Sequence, residues 1–350
     1  MFEKARWIWS SDADGTDSYA EFRTSCQFDR TDSVILRISV DSNYAFYLNG
    51  KFVDSGQYAD FPHYKVYDEI DLSGFIVTGI NHLAFVVWYY GVSSSTYFVG
   101  KPGLLFEVVR NGEVVSCSDE STLSRKSRRY LSGKNEMITS QLGLNYHVDL
   151  RQPEDWMTVV VTPGERRLAE AAPEVPGSVG VLATAGFRRS VIAEGMPGKL
   201  YPREVKKLIV KPRVRTVMVG QGTFAYPAGD QNFGWKMQHA ALTFYRLSEM
   251  VTRENDTAFP EMVTQENDTI QLEPGEQVAE SILLEKEGGD GIYFIVDLCS
   301  ENAGYLDFDM EVPKDCRMEV GWGEHLKDGR CRTQIGGRNF SVTVELRQGR

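Results

Sequence analysis

The sequence contains no apolar run of membrane-spanning length, no C-x-x-C pair and no excess of basic residues, and each absence removes a class of function. A transmembrane helix needs about twenty consecutive apolar residues, and the opening Met1-Phe2-Glu3-Lys4 is not followed by the apolar run of a secretory signal. A cytoplasmic protein is therefore expected, with the periplasm as the alternative if a leader has been removed. The five cysteines, Cys26, Cys117, Cys299, Cys316 and Cys331, are scattered and read as reduced thiols. Cys299 and Cys316 lie in strand patterns and read as small core hydrophobes. With 38 Lys and Arg against 49 Asp and Glu, the net charge is -11. That balance argues against binding a phosphate backbone, so neither nucleic acid nor a membrane is expected as a partner, whereas a neutral sugar is indifferent to it. There is no glycine-rich phosphate loop and no nucleophile elbow. His325 has no companion His, Cys or Asp at ligand spacing, so no metal site and no cofactor are expected.

What the sequence does contain is alternation punctuated by tight turns. Val34, Leu36, Ile38 and Val40 are apolar while Arg37, Ser39 and Asp41 are polar, the period of two that lays one face of a strand on a core. Asn49-Gly50 tolerates positive φ at both turn positions and closes a hairpin between Tyr44-Leu48 and Lys51-Val53, and Asn111-Gly112 closes a second one. Leu83 to Trp88 is a continuous apolar run too short for a buried helix, which reads as a strand covered on both faces. Repeated hairpins at this density predict an all-β chain of two antiparallel sandwiches: residues 1–160, a connector over 161–200 rich in Gly and Pro, and 201–350. In the second module, Thr216-Val219, Ile282-Leu284, Leu306-Val312, Cys316-Trp322 and Phe340-Leu346 read as half-buried strands. Met237, Ala240, Ala241, Phe244 and Leu247 have helical spacing, with an extended reading left open.

The string Ser39, Asp41, Tyr44, Tyr47, Asn49, Gly50, Lys51 resembles the S-x-D-x-x-Y-x-x-Y-x-N-G-K hairpin of bacterial α-L-rhamnosidases, glycoside hydrolase family 78. Ala5-Arg6-Trp7-Ile8-Trp9 upstream, Tyr67 to Leu72 and Gly79-x-Asn81-x-Leu83 downstream, and Val320-Gly321-Trp322-Gly323-Glu324-His325 near the end follow in the same order. The resemblance implies jelly-roll, galactose-binding-like sandwiches that precede an (α/α)6 catalytic barrel. No helical period follows Glu324, so the chain reads as the non-catalytic N-terminal portion of a longer inverting glycosidase with no catalytic residue in view. A rhamnose-containing oligosaccharide or glycoside is the implied ligand.

An inverting glycosidase needs a carboxylic acid and a carboxylate about 6.5–9.5 Å apart. Asp68, Glu69 and Asp71 cluster on one strand but read as a solvated rim, as do Asp307, Asp309 and Glu311. Glu324 sits where the family motif has its acid. Beside Trp322 it reads either as a residue facing the barrel or as a contact at the substrate rim. For sugar binding the candidates are Trp88, Tyr89, Tyr90 and Tyr97, with Phe98, at a Gly/Ser-rich loop where flat C–H faces stack on rings; core packing is the first reading for Trp88 and an equal alternative for Tyr89, Tyr90 and Tyr97. Asp41, Asn43 and Asn49 are first of all turn formers, with hydroxyl binding or calcium ligation as the alternative. A stand-alone carbohydrate-binding protein and a structural β-protein are the competing readings. An uncovered second-module surface, carrying Trp322 at a strand end, predicts self-association, with a homodimer as the simplest product. Light scattering over a concentration series should show mass rising with concentration; a monomer at every concentration refutes the expectation.

Overall fold

The computed structural model of the chain describes residues 2–56, 61–158, 186–207, 216–244, 270–272, 289–301, 303–304, 308, 310–327 and 329–349. The chain is all-β and divides into two units, Met1–Lys206 and Lys207–Arg350.

The first unit is a two-sheet sandwich. One sheet contains β1 (Ile8–Trp9), β3 (Val34–Asp41), β6 (Lys65–Asp71), β8 (Gly103–Arg110), β9 (Glu113–Cys117), β15 (Val191–Ile192) and β16 (Leu200–Pro202), in the order β15-β1-β8-β3-β6-β16 with β9 also on β8. The other runs β14-β10-β2-β7-β4-β5, from β2 (Ser18–Phe28), β4 (Asn43–Leu48), β5 (Lys51–Gly56), β7 (Gly79–Tyr89), β10 (Leu123–Lys126) and β14 (Arg188–Arg189). Short strands β11 (Met137–Thr139) and β12 (Gly143–Leu144) form a separate pair, and β13 (His147–Asp149) follows them. Both expected hairpins form: Leu48 pairs with Lys51 and Arg110 with Glu113. Asn49 and Gly50 have φ of 53° and 75°, and Asn111 and Gly112 have 51° and 90°, the two positive values such turns demand. Between β3 and β4 the chain changes sheet at Ser42, so Asp41 and Asn43, read as one continuous motif, stand at the ends of strands in opposite layers.

The core between the sheets is aliphatic and aromatic. Val34, Leu36, Ile38, Leu83, Phe85, Val87, Leu104 and Phe106 are fully buried in it. Phe85 lies 5.0 Å from Phe46 and 4.8 Å from Phe106, a run of rings that spans both sheets. β7 is covered on its other face as well. Ala84 and Val86 pack with Tyr19, Leu123, Trp156, Met157 and Phe187, so the uninterrupted apolar run is a strand with no solvent face.

Arg188–Arg189, Val191–Ile192 and Leu200–Pro202, within or just past the stretch read as connector, are strands of the first sandwich, and β16 lies parallel to β6. The short helix read over residues 165–172 lies outside the described residues.

The second unit carries a sheet in the order β18-β17-β19, with β20 also on β17, from β17 (Thr216–Ala225), β18 (Ala241–Phe244), β19 (Ile270–Leu272) and β20 (Gly291–Asp297). A separate antiparallel pair joins β21 (Cys316–Gly321) to β26 (Ser341–Leu346). Between them β22 (Leu326–Lys327) pairs with β23 (Arg330–Cys331), and β24 (Gln334–Ile335) with β25 (Arg338–Asn339). The spacing from Met237 to Phe244 covers a change of structure, and Leu247 lies outside the described residues. Helix α1 (Phe233–His239) begins where the Asn232 side chain accepts a hydrogen bond from Trp235 N at 2.9 Å, and strand β18 follows after Ala240. The strand expected at Ile282-Leu284 lies outside the described residues; of the one expected over Leu306-Val312, the described Phe308, Met310 and Glu311 are not in a strand, and Val312 makes an isolated bridge to Gly349. Cys299 is exposed rather than a core residue, because it follows the end of β20 with φ of 59°.

Phe85→Ala should destabilise the first sandwich by about 3–5 kcal/mol, since it empties the centre of the ring stack. Phe75→Ala, at a position 53% exposed, should change stability by about 0.5 kcal/mol or less. Urea denaturation of the two variants checks the contrast.

Candidate functional site

One end of the first sandwich gathers the residues singled out for sugar binding. β3 ends in Asp41, buried to 2% exposure, and its carboxylate is fully engaged. Lys65 Nζ donates to Oδ2 at 3.0 Å, the Tyr97 hydroxyl donates to Oδ1, and Ser42 Oγ donates to Oδ1 at 3.2 Å. Lys65 is itself buried, so the two charges neutralise each other in a site poor in water. Burial, then the neighbouring Asp41 charge, push the Tyr97 phenol well above its ordinary pKa. Gly100 closes over this group, where a Cβ would lie 2.4 Å from Asp41 Oδ2.

The predicted aromatic set forms a ladder. Tyr19 stacks between Trp88 at 4.8 Å and Tyr130 at 5.1 Å, Trp88 meets Tyr90 edge-on at 4.5 Å, and Tyr90 meets Tyr97 at 5.5 Å. Their polar atoms are partnered within the fold. Trp88 Nε1 donates to Asp17 Oδ1 at 3.0 Å, Asn43 Nδ2 donates to the Tyr90 hydroxyl at 2.7 Å, and the Tyr89 hydroxyl donates to Gly100 O at 3.0 Å. Burial pushes the Tyr90 phenol up to about 12. The structure thus brings Asp41, Asn43, Trp88, Tyr89, Tyr90 and Tyr97 to one end, where Asn43, Trp88 and Tyr97 meet Tyr90 and Asp41 meets Tyr97, while Tyr89 bonds Gly100 and meets Trp9.

Beside them is an open depression of about 360 Å³, with Asp41 at its base, Lys101 at its rim and Pro62, Val99, Met196 and Pro197 along its sides. The residues flanking Pro62 and Val99 are exposed rings. Phe61 and Phe98 lie 5.5 Å apart, His63 stacks on Phe61 at 5.4 Å, and Tyr64 stacks on Tyr201 at 4.3 Å. Phe98 was part of the aromatic set in the sequence, but Phe61, Tyr64 and Tyr201 carried no pattern that separates an exposed ring from a packed one.

The carboxylates divide differently from the sequence reading. Glu69 and Asp71 face solvent, as expected of a rim. Asp68 does not: it is buried, accepts from the Tyr44 hydroxyl at 2.8 Å and pairs with Arg203. It sits opposite Ile38 on the core face of its sheet, with Ile70, where Tyr44 from the facing sheet reaches it and Arg203, just past the edge strand β16, supplies the counter-charge.

In the second unit Glu324 is exposed, and Trp322 is half-buried and meets Phe340 edge-on at 6.3 Å. The perturbed carboxylate is Glu319, at a position read as the polar face of its strand. It accepts from the Thr343 hydroxyl at 2.7 Å, opposite it in the β21–β26 register, and its side chain is 8% exposed. Burial raises its pKa to about 7, aided by Glu345 and opposed by the Thr343 hydrogen bond, Arg317 and Lys236. Among the described residues no group of three or more His, Cys, Asp or Glu is arranged to hold a metal ion.

No protein-family model matches the chain, and no curated protein matches its sequence. Solved structures do. The GH78 family rhamnosidase of Bacillus sp. GL1 superposes with a TM-score of 0.53 at 22% identity, over 64% of this chain and 22% of that enzyme. This chain shares its fold with part of a GH78 rhamnosidase. Weaker likenesses are to the α-L-rhamnosidase from Dictyoglumus thermophilum (TM-score 0.37, 18% identity, 65% of this chain and 29% of that one) and to the apo Pleurotus ostreatus lectin (TM-score 0.32, 10% identity, 63% and 56%). The match spans about a fifth of the Bacillus enzyme's length.

The fold prefers protonated Glu319, because burial raises its folded-state pKa above the ordinary 4.5 to about 7. Its contribution is complete below the lower value and is lost as pH rises through the higher. The stability of the second unit should therefore fall on the order of 3 kcal/mol between about pH 4.5 and pH 8. Denaturation across this range should show the slope, and Glu319→Gln should flatten it; an equal slope in the variant assigns the effect elsewhere.

Proposed function

We propose that this chain is the N-terminal accessory region of a glycoside hydrolase resembling α-L-rhamnosidase, and that the full-length enzyme removes terminal α-L-rhamnosyl groups with inversion. The observation that carries the reading is the shared fold with the Bacillus sp. GL1 rhamnosidase, joined to the ordered run of family-like strings from Trp7 to Glu324. The state of the carboxylates supports an accessory role. Asp41, Asp68 and Glu21 in the first sandwich are buried and ion-paired with Lys65, Arg203 and Arg125, which fits structural anions rather than an acid and a base facing a glycosidic bond. The ligand of the accessory region, in this reading, is a rhamnose-containing oligosaccharide or glycoside.

The purified chain should bind L-rhamnose in saturation-transfer NMR and should not hydrolyse 4-nitrophenyl α-L-rhamnoside. Turnover by these residues that Glu324→Gln abolishes overturns the accessory assignment, and failure to bind any rhamnoside overturns the ligand.

A further inference from the structure

We propose that the carbohydrate contact of the first sandwich is the shelf of exposed rings Phe61, Tyr64 and Phe98 beside the Asp41–Lys101 depression, and that it accepts a neutral saccharide. The inference rests on the carbohydrate-binding reading above and gives it a place. Phe98 belongs to the aromatic set singled out in the sequence; the rest of that set, from Trp88 to Tyr97, has its hydroxyl and indole groups occupied by Asp17, Asn43, Gly100 and Asp41, and Trp88, Tyr90 and Tyr97 pack on one another. The shelf is the reverse. Phe61 is 43% exposed, Tyr64 38% and Phe98 57%, on the two loop segments that line the depression through Pro62 and Val99. Tyr64 is held by its stack on Tyr201, over which the Lys199 ammonium stands at 4.6 Å, so its orientation is fixed before any ligand arrives.

Charge selects the occupant. A cation meets Lys101 at the rim and Lys199 near the tyrosine stack, and the Asp41 carboxylate at the base, 2% exposed, holds no free charge to attract one. That carboxylate is already neutralised by Lys65 at 3.0 Å, so the base presents a compensated pair to a ligand without charge. Lys101 Nζ, which donates to Glu194 O at 3.0 Å, has further donor capacity for a hydroxyl. Apolar sides, flat ring faces and a few polar groups in a concavity of about 360 Å³ suit one or two pyranose rings, whose C–H faces stack while their hydroxyls reach the rim. A peptide or a second copy of the chain would instead be expected to bury a larger surface than this.

The test compares wild type with Phe98→Ala, Tyr64→Ala and Tyr90→Phe in the full chain, using L-rhamnose and methyl α-L-rhamnoside as probes. The first two changes remove exposed rings and the third removes the hydroxyl that Asn43 holds. Phe98→Ala and Tyr64→Ala are expected to weaken binding about tenfold each with unchanged melting temperature, and Tyr90→Phe to bind as wild type. Wild-type binding that survives both shelf variants overturns this placement while leaving the carbohydrate reading intact. Loss of binding in Tyr90→Phe with the shelf variants unaffected assigns the contact to the ladder and overturns the placement as well. No binding by wild type refutes both readings. A change of oligomeric state in Phe98→Ala without a change in binding shows that the shelf serves a second copy, which also overturns the proposal.

Discussion

The first unit is organised by a single constraint: β7 must be buried on both faces. Its residues alternate between two apolar layers, Leu83, Phe85 and Val87 toward the sandwich core and Ala84 and Val86 toward Trp156 and Phe187. A strand with no solvent face needs an extra layer outside its sheet. Part of that layer comes from late in the unit, where Phe187 precedes β14, a strand that pairs with β10 at the sheet's edge. This explains why the domain does not end where its hairpins do. The run from Leu83 to Val87 requires a covering layer, but no local pattern shows that Phe187, a hundred residues later, contributes to it.

Inside that frame three buried carboxylates come in ion-paired sets. Arg125 donates to Glu21 at 2.7 Å, and Ser127 donates to the other Glu21 oxygen at 2.7 Å; Lys65 and Tyr97 hold Asp41, and Tyr44 and Arg203 hold Asp68. Such pairs add little net stability over apolar residues of the same volume, but removing one member leaves an uncompensated buried charge. Their partners lie far apart in sequence: Glu21 and Arg125 are separated by 104 positions, and Asp68 and Arg203 by 135. Each pair is satisfied in one topology, so the sets select the register of distant strands rather than deepen the core.

How legible the molecule was in sequence follows the range of the interactions. Alternation and the two Asn-Gly turns depend on neighbours a few residues away, and those elements formed where expected. Alternation puts Asp68 on the core face with Ile70, opposite Ile38, and Glu319 on the polar face of β21 with Arg317, but the period of two does not say which partner receives a carboxylate there. In both cases the partner is remote in sequence: Arg203 for Asp68, and Thr343, across the β21–β26 pair, for Glu319. Aromatic residues failed in the same way. Composition placed Trp88, Tyr90 and Tyr97 at a loop, yet burial, set by Tyr19, Tyr130 and Asp41, divides them from the exposed Phe61 and Phe98.

The residues that carry the likeness to rhamnosidases are largely absorbed by the architecture. Ser39 donates to Val66 O at 2.7 Å, Asp41 binds Lys65, and Tyr44 binds Asp68. Asn49 bridges the first hairpin to β7, donating to Asn81 Oδ1 at 2.9 Å and accepting from His82 N at 2.8 Å, while Asn81 Nδ2 in turn donates to Val77 O at 2.7 Å. Gly50 follows in a conformation with positive φ, where an added Cβ would lie 2.6 Å from Thr158 Cγ2. A signature whose side chains fix turns and strand ends specifies how this sandwich closes, and it is shared wherever that closure is needed. It therefore supports the fold strongly and the choice of sugar weakly. On the proposed reading, ligand specificity comes from side chains the fold leaves unspent, and the exposed rings Phe61, Tyr64 and Phe98 are three of them.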